Sequence, residues 1–161
     1  MKKQKGFSLI ELLIVVAIIL IIAAIAIPNS MRSKMAANQS SAVGSLRTIN
    51  TAQVTFSTTY PAVGFAANLV TLGAAVGTNC ATTAATSTAA CLIDPVLASG
   101  TKSGYVFAVA GGGGTPAVTY TSLATPQVLN QTGQNYYCSD QSGVLYYNYA
   151  AACTPGTSTP L

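Results

Sequence analysis

The sequence predicts an α+β fold: a long amino-terminal α-helix, membrane-spanning in its first half and amphipathic in its second, packed on a small antiparallel β-sheet with a disulfide-closed carboxy-terminal region. Three observations lead to this prediction. Residues 7–27 form a run in which only Ser8 and Glu11 are polar. Residues 29–58 repeat apolar side chains at three- and four-residue steps. Later in the chain, two pairs of β-branched and aromatic runs flank short turns.

The composition excludes several classes of protein. Of the 161 residues, 50% are hydrophobic and only 6% are charged, with a mean hydropathy of +0.49, which is too apolar for an ordinary cytosolic enzyme. There is no histidine, and the only carboxylate side chains are Glu11, Asp94 and Asp140. The paired acids, imidazole bases and ligand clusters of acid–base or metal chemistry are therefore missing. We expect a non-enzyme with no cofactor and no metal.

The net charge of +4 is a poor indication of a nucleic-acid partner. Lys2, Lys3 and Lys5 carry three of the seven cationic side chains, so the rest of the chain has four cations against three carboxylates. Binding to DNA or RNA needs basic side chains clustered on one face. No specific nucleic acid is indicated.

The apolar run at residues 7–27 is long enough to cross a membrane. At about 1.5 Å per residue it makes a helix of about 31 Å. Three lysines precede the run, and no basic residue follows it until Arg32 and Lys34. This pattern places the amino terminus in the cytoplasm and the remainder outside. A secretory signal cut at Ala24–Ala26 is the alternative, but the run is too long for one. It also contains Glu11, whose charge costs about 2.5–3.5 kcal/mol at the centre of a membrane helix, so we expect a partner for it.

The string Gly6-Phe7-Ser8-Leu9-Ile10-Glu11-Leu12, after a short lysine-rich leader, resembles the amino terminus of type IV pilins and of the related type II secretion pseudopilins. The resemblance implies that residues 1–6 are a leader, which a membrane-embedded prepilin peptidase removes by cutting after Gly6. It implies that the same enzyme methylates the new terminal amine of Phe7. The family's glutamate falls on Glu11, and its helix-interrupting proline falls on Pro28.

The chemistry of Glu11 agrees with what the resemblance implies. Once the leader is removed, Phe7 begins with an ammonium group, and a neighbouring subunit shifted along the fibre axis can bring that cation to Glu11. Pairing in a low-dielectric core removes much of the desolvation penalty; pairing within one chain is the alternative. We expect Glu11 to set the register of a helical homopolymer. The other expected partners are the membrane before assembly and the inner-membrane assembly machinery.

Residues 7–28 are predicted to be the membrane and filament-core helix, and residues 29–58 its amphipathic continuation. Pro28 lacks a backbone donor and crowds the preceding turn, so we predict a kink or a melted stretch near Ala23–Ile27; a plain membrane-boundary proline is the alternative. The helix should end near Thr58, before Tyr60-Pro61. Its buried stripe is predicted to be Met31, Met35, Ala42, Leu46, Ile49, Gln53, Phe56 and Tyr60, with Arg32, Lys34, Ser41, Arg47 and Asn50 on other faces.

Residues 59–161 are predicted to be a globular β-sheet head domain. Residues 61–102 show little periodicity and suggest a long connecting region. Two hairpins follow, the first around a glycine run and the second around Asp140 and Gly143, which are turn formers. Their strands are Tyr105–Val109 with Val118–Leu123, and Asn135–Cys138 with Val144–Tyr147. A sheet of four strands or a similar number is expected, followed by a Pro/Thr tail.

The four cysteines, Cys80, Cys91, Cys138 and Cys153, lie in two local pairs. Neither pair has the C-x2-C spacing of a zinc site. In a chain that crosses the membrane, an even number of cysteines at these spacings favours disulfides in an oxidising compartment. Three connectivities are possible; short loops close most readily, which favours Cys80 with Cys91 and Cys138 with Cys153. Four free thiols are the alternative. Major pseudopilins often bind calcium near the carboxy end, but one aspartate there is too few ligands.

The resemblance implies a structural pilin subunit that polymerises through its amino-terminal helix into type IV pilus filaments, for adhesion, twitching motility or DNA uptake. The subunit would first be a single-pass precursor in the bacterial inner membrane and then part of an extracellular filament. A pseudopilin of a type II secretion pseudopilus is the alternative; the carboxy-terminal cysteine pair and the scarcity of carboxylates favour the pilin. A membrane-tethered binding protein that never polymerises is disfavoured by Glu11.

Overall fold

A computed structural model describes residues 6–74, 77, 80–82 and 84–161. The chain divides into two compact units, an amino-terminal unit that ends at Lys34 and a carboxy-terminal unit, Met35–Leu161. The lysines of the expected leader lie outside the described residues.

Helix α1 runs from Leu9 to Thr59. Its end confirms the stop predicted from Tyr60-Pro61. The predicted melted stretch is wrong for this structure, because Pro28 lies inside α1 and residues 23–27 are helical. A proline removes one backbone donor, the partner of the carbonyl four residues earlier. The hydrogen bonds of its neighbours on both sides are enough to keep the helix formed, as in other apolar helices that contain proline.

The carboxy-terminal unit contains one antiparallel sheet of six strands in sequence order. The strands are β1 Thr101–Lys102, β2 Tyr105–Gly112, β3 Thr119–Pro126, β4 Asn135–Asp140, β5 Leu145–Tyr149 and β6 Thr159–Pro160. The four longer strands are the two predicted hairpins, so the α+β prediction is confirmed. The two short strands lie at the edges, and β6 comes from the tail that the sequence did not mark as a strand.

Two short helices occupy the predicted connecting region: α2, Leu69–Leu72, and α3, Pro95–Ala98. Each begins at a side-chain cap, which supplies an acceptor for a backbone N–H that the helix leaves unpaired. At α3 the Asp94 carboxylate accepts from the Leu97 N–H at 2.9 Å and pairs with the Lys102 ammonium at 3.1 Å. Partial burial raises the pKa of Asp94, but these two contacts outweigh it and hold that pKa below its usual value.

The hydrophobic core lies between α1 and the sheet. Leu46, Ile49 and Phe56 of α1 are fully buried, as is Tyr105 of β2. A glycine is required beside this tyrosine, because a Cβ on Gly133 would lie 2.1 Å from the Tyr105 hydroxyl oxygen. The open space lets that hydroxyl donate to the Asn135 carbonyl at 2.9 Å.

Two side-chain amides of α1 are buried in the same interface. Gln53 Nε2 donates to the Ala66 carbonyl at 3.1 Å, and Gln53 Oε1 accepts from the Ala66 N–H at 2.8 Å. Asn50 Nδ2 donates to Ser139 Oγ at 2.7 Å, and Asn50 Oδ1 accepts from the Tyr120 hydroxyl at 3.1 Å. The sequence pattern placed Asn50 off the buried stripe, but Asn50 is buried, with only 9% of it exposed. These bonds satisfy polar groups whose burial would otherwise be costly.

The structure contains two disulfides, Cys80–Cys91 and Cys138–Cys153. This is the connectivity that was predicted because short loops close most readily. Cys138 is fully buried in β4, so the second disulfide ties the chain after β5 back to the middle of the sheet.

Candidate functional site

The candidate site is the start of α1, where Glu11 lies in the first helical turn. The helix begins at Leu9, and Glu11 Oε2 accepts a hydrogen bond from the Ser8 backbone N–H at 2.9 Å. Ser8 precedes the helix and Glu11 follows three residues later, which is the spacing of a capping box. The sequence argument treated Glu11 as a charge within an apolar run and missed this local partner. The Ser-x-x-Glu spacing was the signal that could have found it.

The hydrogen bond from Ser8 occupies only one of the two carboxylate oxygens of Glu11. Oε2 receives the Ser8 N–H, whereas Glu11 Oε1 accepts no hydrogen bond within the described part of the chain. The electrostatic field at a helix amino terminus also favours a negative side chain. The geometry therefore allows Glu11 to hold the helix start and to accept a second donor, such as an ammonium group, at the same time.

The surface around this carboxylate is apolar and has no partner among residues 6–34, the part of the amino-terminal unit that the structure describes. Every large apolar side chain from Leu9 to Ile27 is at least 46% exposed. Helix α1 contains an 18-residue window with a mean hydropathy of 3.3, long and apolar enough to span a membrane, and none of that window is buried. Apolar surface of this extent marks a membrane or protein interaction site.

Gly6 and Phe7, the residues of the expected cleavage site, precede α1 in non-helical backbone. A Cβ built on Gly6 would meet no atom within 4 Å, and Phe7 is 75% exposed. The peptide bond between them is therefore open to an enzyme without unwinding of the helix. Cleavage there would place a new amine four residues before Glu11.

Metal binding finds no support among the described residues, because no group of three or more His, Cys, Asp or Glu side chains is placed to hold an ion. Asp140, the one carboxylate near the carboxy end, caps its own turn instead. Its Oδ1 accepts from the backbone N–H of Ser142 at 2.9 Å.

Comparison with known proteins supports this site. Residues 1–27 match the family model described as the prokaryotic N-terminal methylation motif. The chain is 52% identical over 54 residues to the type IV major pilin protein PilA of Myxococcus xanthus, a match that covers 34% of this chain and 24% of the relative. It is 58% identical over 38 residues to the type IV wide pilus major component of Thermus thermophilus, covering 24% of this chain and 29% of that relative.

These matches confirm the resemblance to type IV pilins. They span less than a third of the length of either relative. No solved structure matches the chain.

Proposed function

We propose that this chain is the structural subunit of a type IV pilus and that it polymerises through α1. One observation carries the proposal: the apolar start of α1 has no partner among the described residues of its unit, and Glu11 lies in its first turn with one oxygen that accepts no hydrogen bond from them. The similarity to two major pilus components supports the same assignment. A structural role also agrees with a chain that has no histidine. The filament would serve adhesion, twitching motility or DNA uptake.

Processing precedes assembly in this proposal. A prepilin peptidase cuts between Gly6 and Phe7 and methylates the Phe7 amine, as the match to the methylation motif and the exposed, non-helical cleavage site support. The Phe7 ammonium of one subunit then approaches Glu11 of its neighbour. Pairing in an apolar surrounding offsets the desolvation of both charges. The register of the filament is set by this pair.

Before assembly, α1 anchors the subunit in the inner membrane with the leader in the cytoplasm. The three lysines of the leader support this orientation. Inner-membrane assembly machinery then transfers the subunit to the extracellular filament. Pro28 leaves one carbonyl of α1 without its helical donor, which supports local unwinding when α1 enters the filament.

Electron microscopy of material sheared from the cell surface tests the proposal. Long fibres labelled by an antibody against this chain are expected. Their absence, with the chain retained in the cell envelope, would favour the short pseudopilus of a secretion system. Mass spectrometry of the mature chain should find a methylated Phe7 at its start, whereas a chain that begins at Ile27 would identify an ordinary secretory signal.

A further inference from the structure

The carboxy-terminal unit carries only four charged side chains, and all four are described: Arg47, Asp94, Lys102 and Asp140. Asp94 and Lys102 form an ion pair at 3.1 Å. Arg47 and Asp140, which are opposite in sign, have no ion-pair partner in the described chain. Globular proteins use about 25% charged residues, so two single, complementary charges on a nearly uncharged surface are a specific feature.

Arg47 lines an open groove of about 480 Å³ beside α1. Gly44, one helical turn earlier, supplies no side chain, and a Cβ there would meet nothing within 4 Å. Tyr137 and Leu161 line the groove opposite the helix. The Arg47 side chain is exposed and makes no hydrogen bond to the described residues. The groove therefore offers a cation, apolar walls and room for a small projecting segment.

Asp140 begins a tight turn, residues 140–143, between β4 and β5. Its Oδ1 accepts from the Ser142 N–H at 2.9 Å and from Ser142 Oγ at 2.5 Å. Gly143 adopts a φ of 76° and donates its N–H to the Asp140 carbonyl at 2.9 Å, which closes the turn. Gln141 and Ser142 are exposed. The turn thus holds the carboxylate in place, while Oδ2 accepts no hydrogen bond from the described residues.

We propose that the Asp140 turn of one copy of this chain docks in the Arg47 groove of the next copy. The inference rests on the proposed function and adds a specific contact between carboxy-terminal units. Arg47 lies on α1 and Asp140 on a turn of the sheet, so each copy offers one of each group. When each copy gives its Asp140 turn to the next copy and receives a turn from the previous one, the contact is heterologous. Heterologous contacts repeat along open filaments. A charge pair at such an interface sets register and excludes wrong arrangements.

Complementation between two variants tests this contact in the full-length chain with its own assembly machinery. Arg47→Asp puts an acid at both positions, and Asp140→Arg puts a cation at both. Each variant alone should yield about tenfold fewer filaments or fewer still, because like charges meet at every contact. Expressed together, they should restore filaments, since every contact between unlike subunits is again a pair of opposite charges. The double variant R47D/D140R should also assemble.

Co-expression of the two single variants distinguishes pairing between chains from pairing within one chain. If the double variant assembles but the mixture does not, Arg47 and Asp140 pair inside one subunit and the proposal is overturned. Arg32→Asp is the matched control, because it reverses another cation of α1; mixed with Asp140→Arg it should not restore filaments. Restoration by that control would also contradict the proposal.

A second measurement does not depend on charge reversal, which can disturb the Asp140 turn. Arg47→Lys keeps the cation and supplies an amine that a carbodiimide couples to a carboxylate. Filaments of this variant should give covalent dimers joined at positions 47 and 140, and these should disappear when Asp140→Asn is added. Filaments without that cross-link contradict the docking while leaving the proposed function intact. If the wild-type chain forms no filaments, both the docking and the proposed function are overturned.

Discussion

The backbone N–H of Ser8 lies 2.9 Å from Glu11 Oε2. This hydrogen bond gives the carboxylate a function within its own chain before any second subunit arrives. The sequence shows Glu11 near the start of an apolar run, and the structure places it in the first turn of α1. The capping function needs only an oxygen acceptor, whereas the proposed pairing with an ammonium needs a charge.

Glu11→Gln separates these two functions. The amide oxygen can still accept from the Ser8 N–H, so we expect the variant to enter the membrane and to keep its helix start. Without the negative charge, filament yield should fall about tenfold or more, the effect of losing about 1.4 kcal/mol. Glu11→Ala should lose the filaments and, in addition, the acceptor of the Ser8 N–H. Filament yield from sheared cells and the membrane content of the subunit provide the readouts; normal filaments from Glu11→Gln would reject the pairing.

Asn50→Ala should destabilise the carboxy-terminal unit by about 1–3 kcal/mol, because it leaves the buried Tyr120 hydroxyl without its acceptor. The free energy of unfolding by denaturant, measured on the full-length chain in detergent, checks this value. Thr51→Ala is the matched control: its hydroxyl bonds the Arg47 carbonyl on the exposed face of the same helix, where we expect a change within about 0.5 kcal/mol. Equal effects of the two variants would show that the buried network contributes nothing specific.

Stability should fall at alkaline pH. Burial, assisted by the charge of Asp140, raises the pKa of Tyr120 to about 12, whereas an unfolded tyrosine titrates near a pKa of about 10. The folded chain therefore keeps a proton that the unfolded chain releases, so this stabilisation is complete below pH 10 and is lost as the pH rises toward 12. Tyr120→Phe should show a weaker pH dependence of the unfolding midpoint. An unchanged pH dependence in Tyr120→Phe would contradict this prediction.

Loss of the Cys138–Cys153 disulfide should destabilise the chain more than loss of Cys80–Cys91. Their sequence separations are 15 and 11 residues, and a loop of about 15 residues gives about 3 kcal/mol in the chain-entropy description. Cys138 is also fully buried, so its replacement by alanine removes core contacts. To test this order, both cysteines of each disulfide are replaced by alanine, and the denaturant midpoints of the two double variants are compared. A larger loss from the Cys80 and Cys91 pair would contradict it.

The elements that the sequence predicted well are those specified by local signals. The end of α1 follows from Tyr60-Pro61, and the central strands follow from β-branched and aromatic runs on either side of turn residues. The short strand β6 carries no such signal, since two residues of Thr and Pro look like any polar tail.

Burial of polar side chains could not be predicted, because it depends on distant partners. Asn50 is buried by groups on strands, and its nearest partner, Ser139, lies 89 positions along the chain. Met31 shows the opposite error: it continues the apolar stripe in sequence but is 46% exposed and belongs to the amino-terminal unit. At the candidate site, the hydropathy pattern identified Glu11 as a charge within an apolar run. The three-residue spacing between Ser8 and Glu11, which predicts the cap, was not used.

Strand β6, Thr159–Pro160, has a consequence for aggregation. An exposed sheet edge is a template on which a second chain can add a strand and begin cross-β aggregation. This edge is only two residues long and one of them is proline, which has no N–H to donate. Strand β6 itself therefore offers a neighbour little backbone to extend. The shortness of β6 and its proline therefore limit amyloid-like growth at this edge of the sheet.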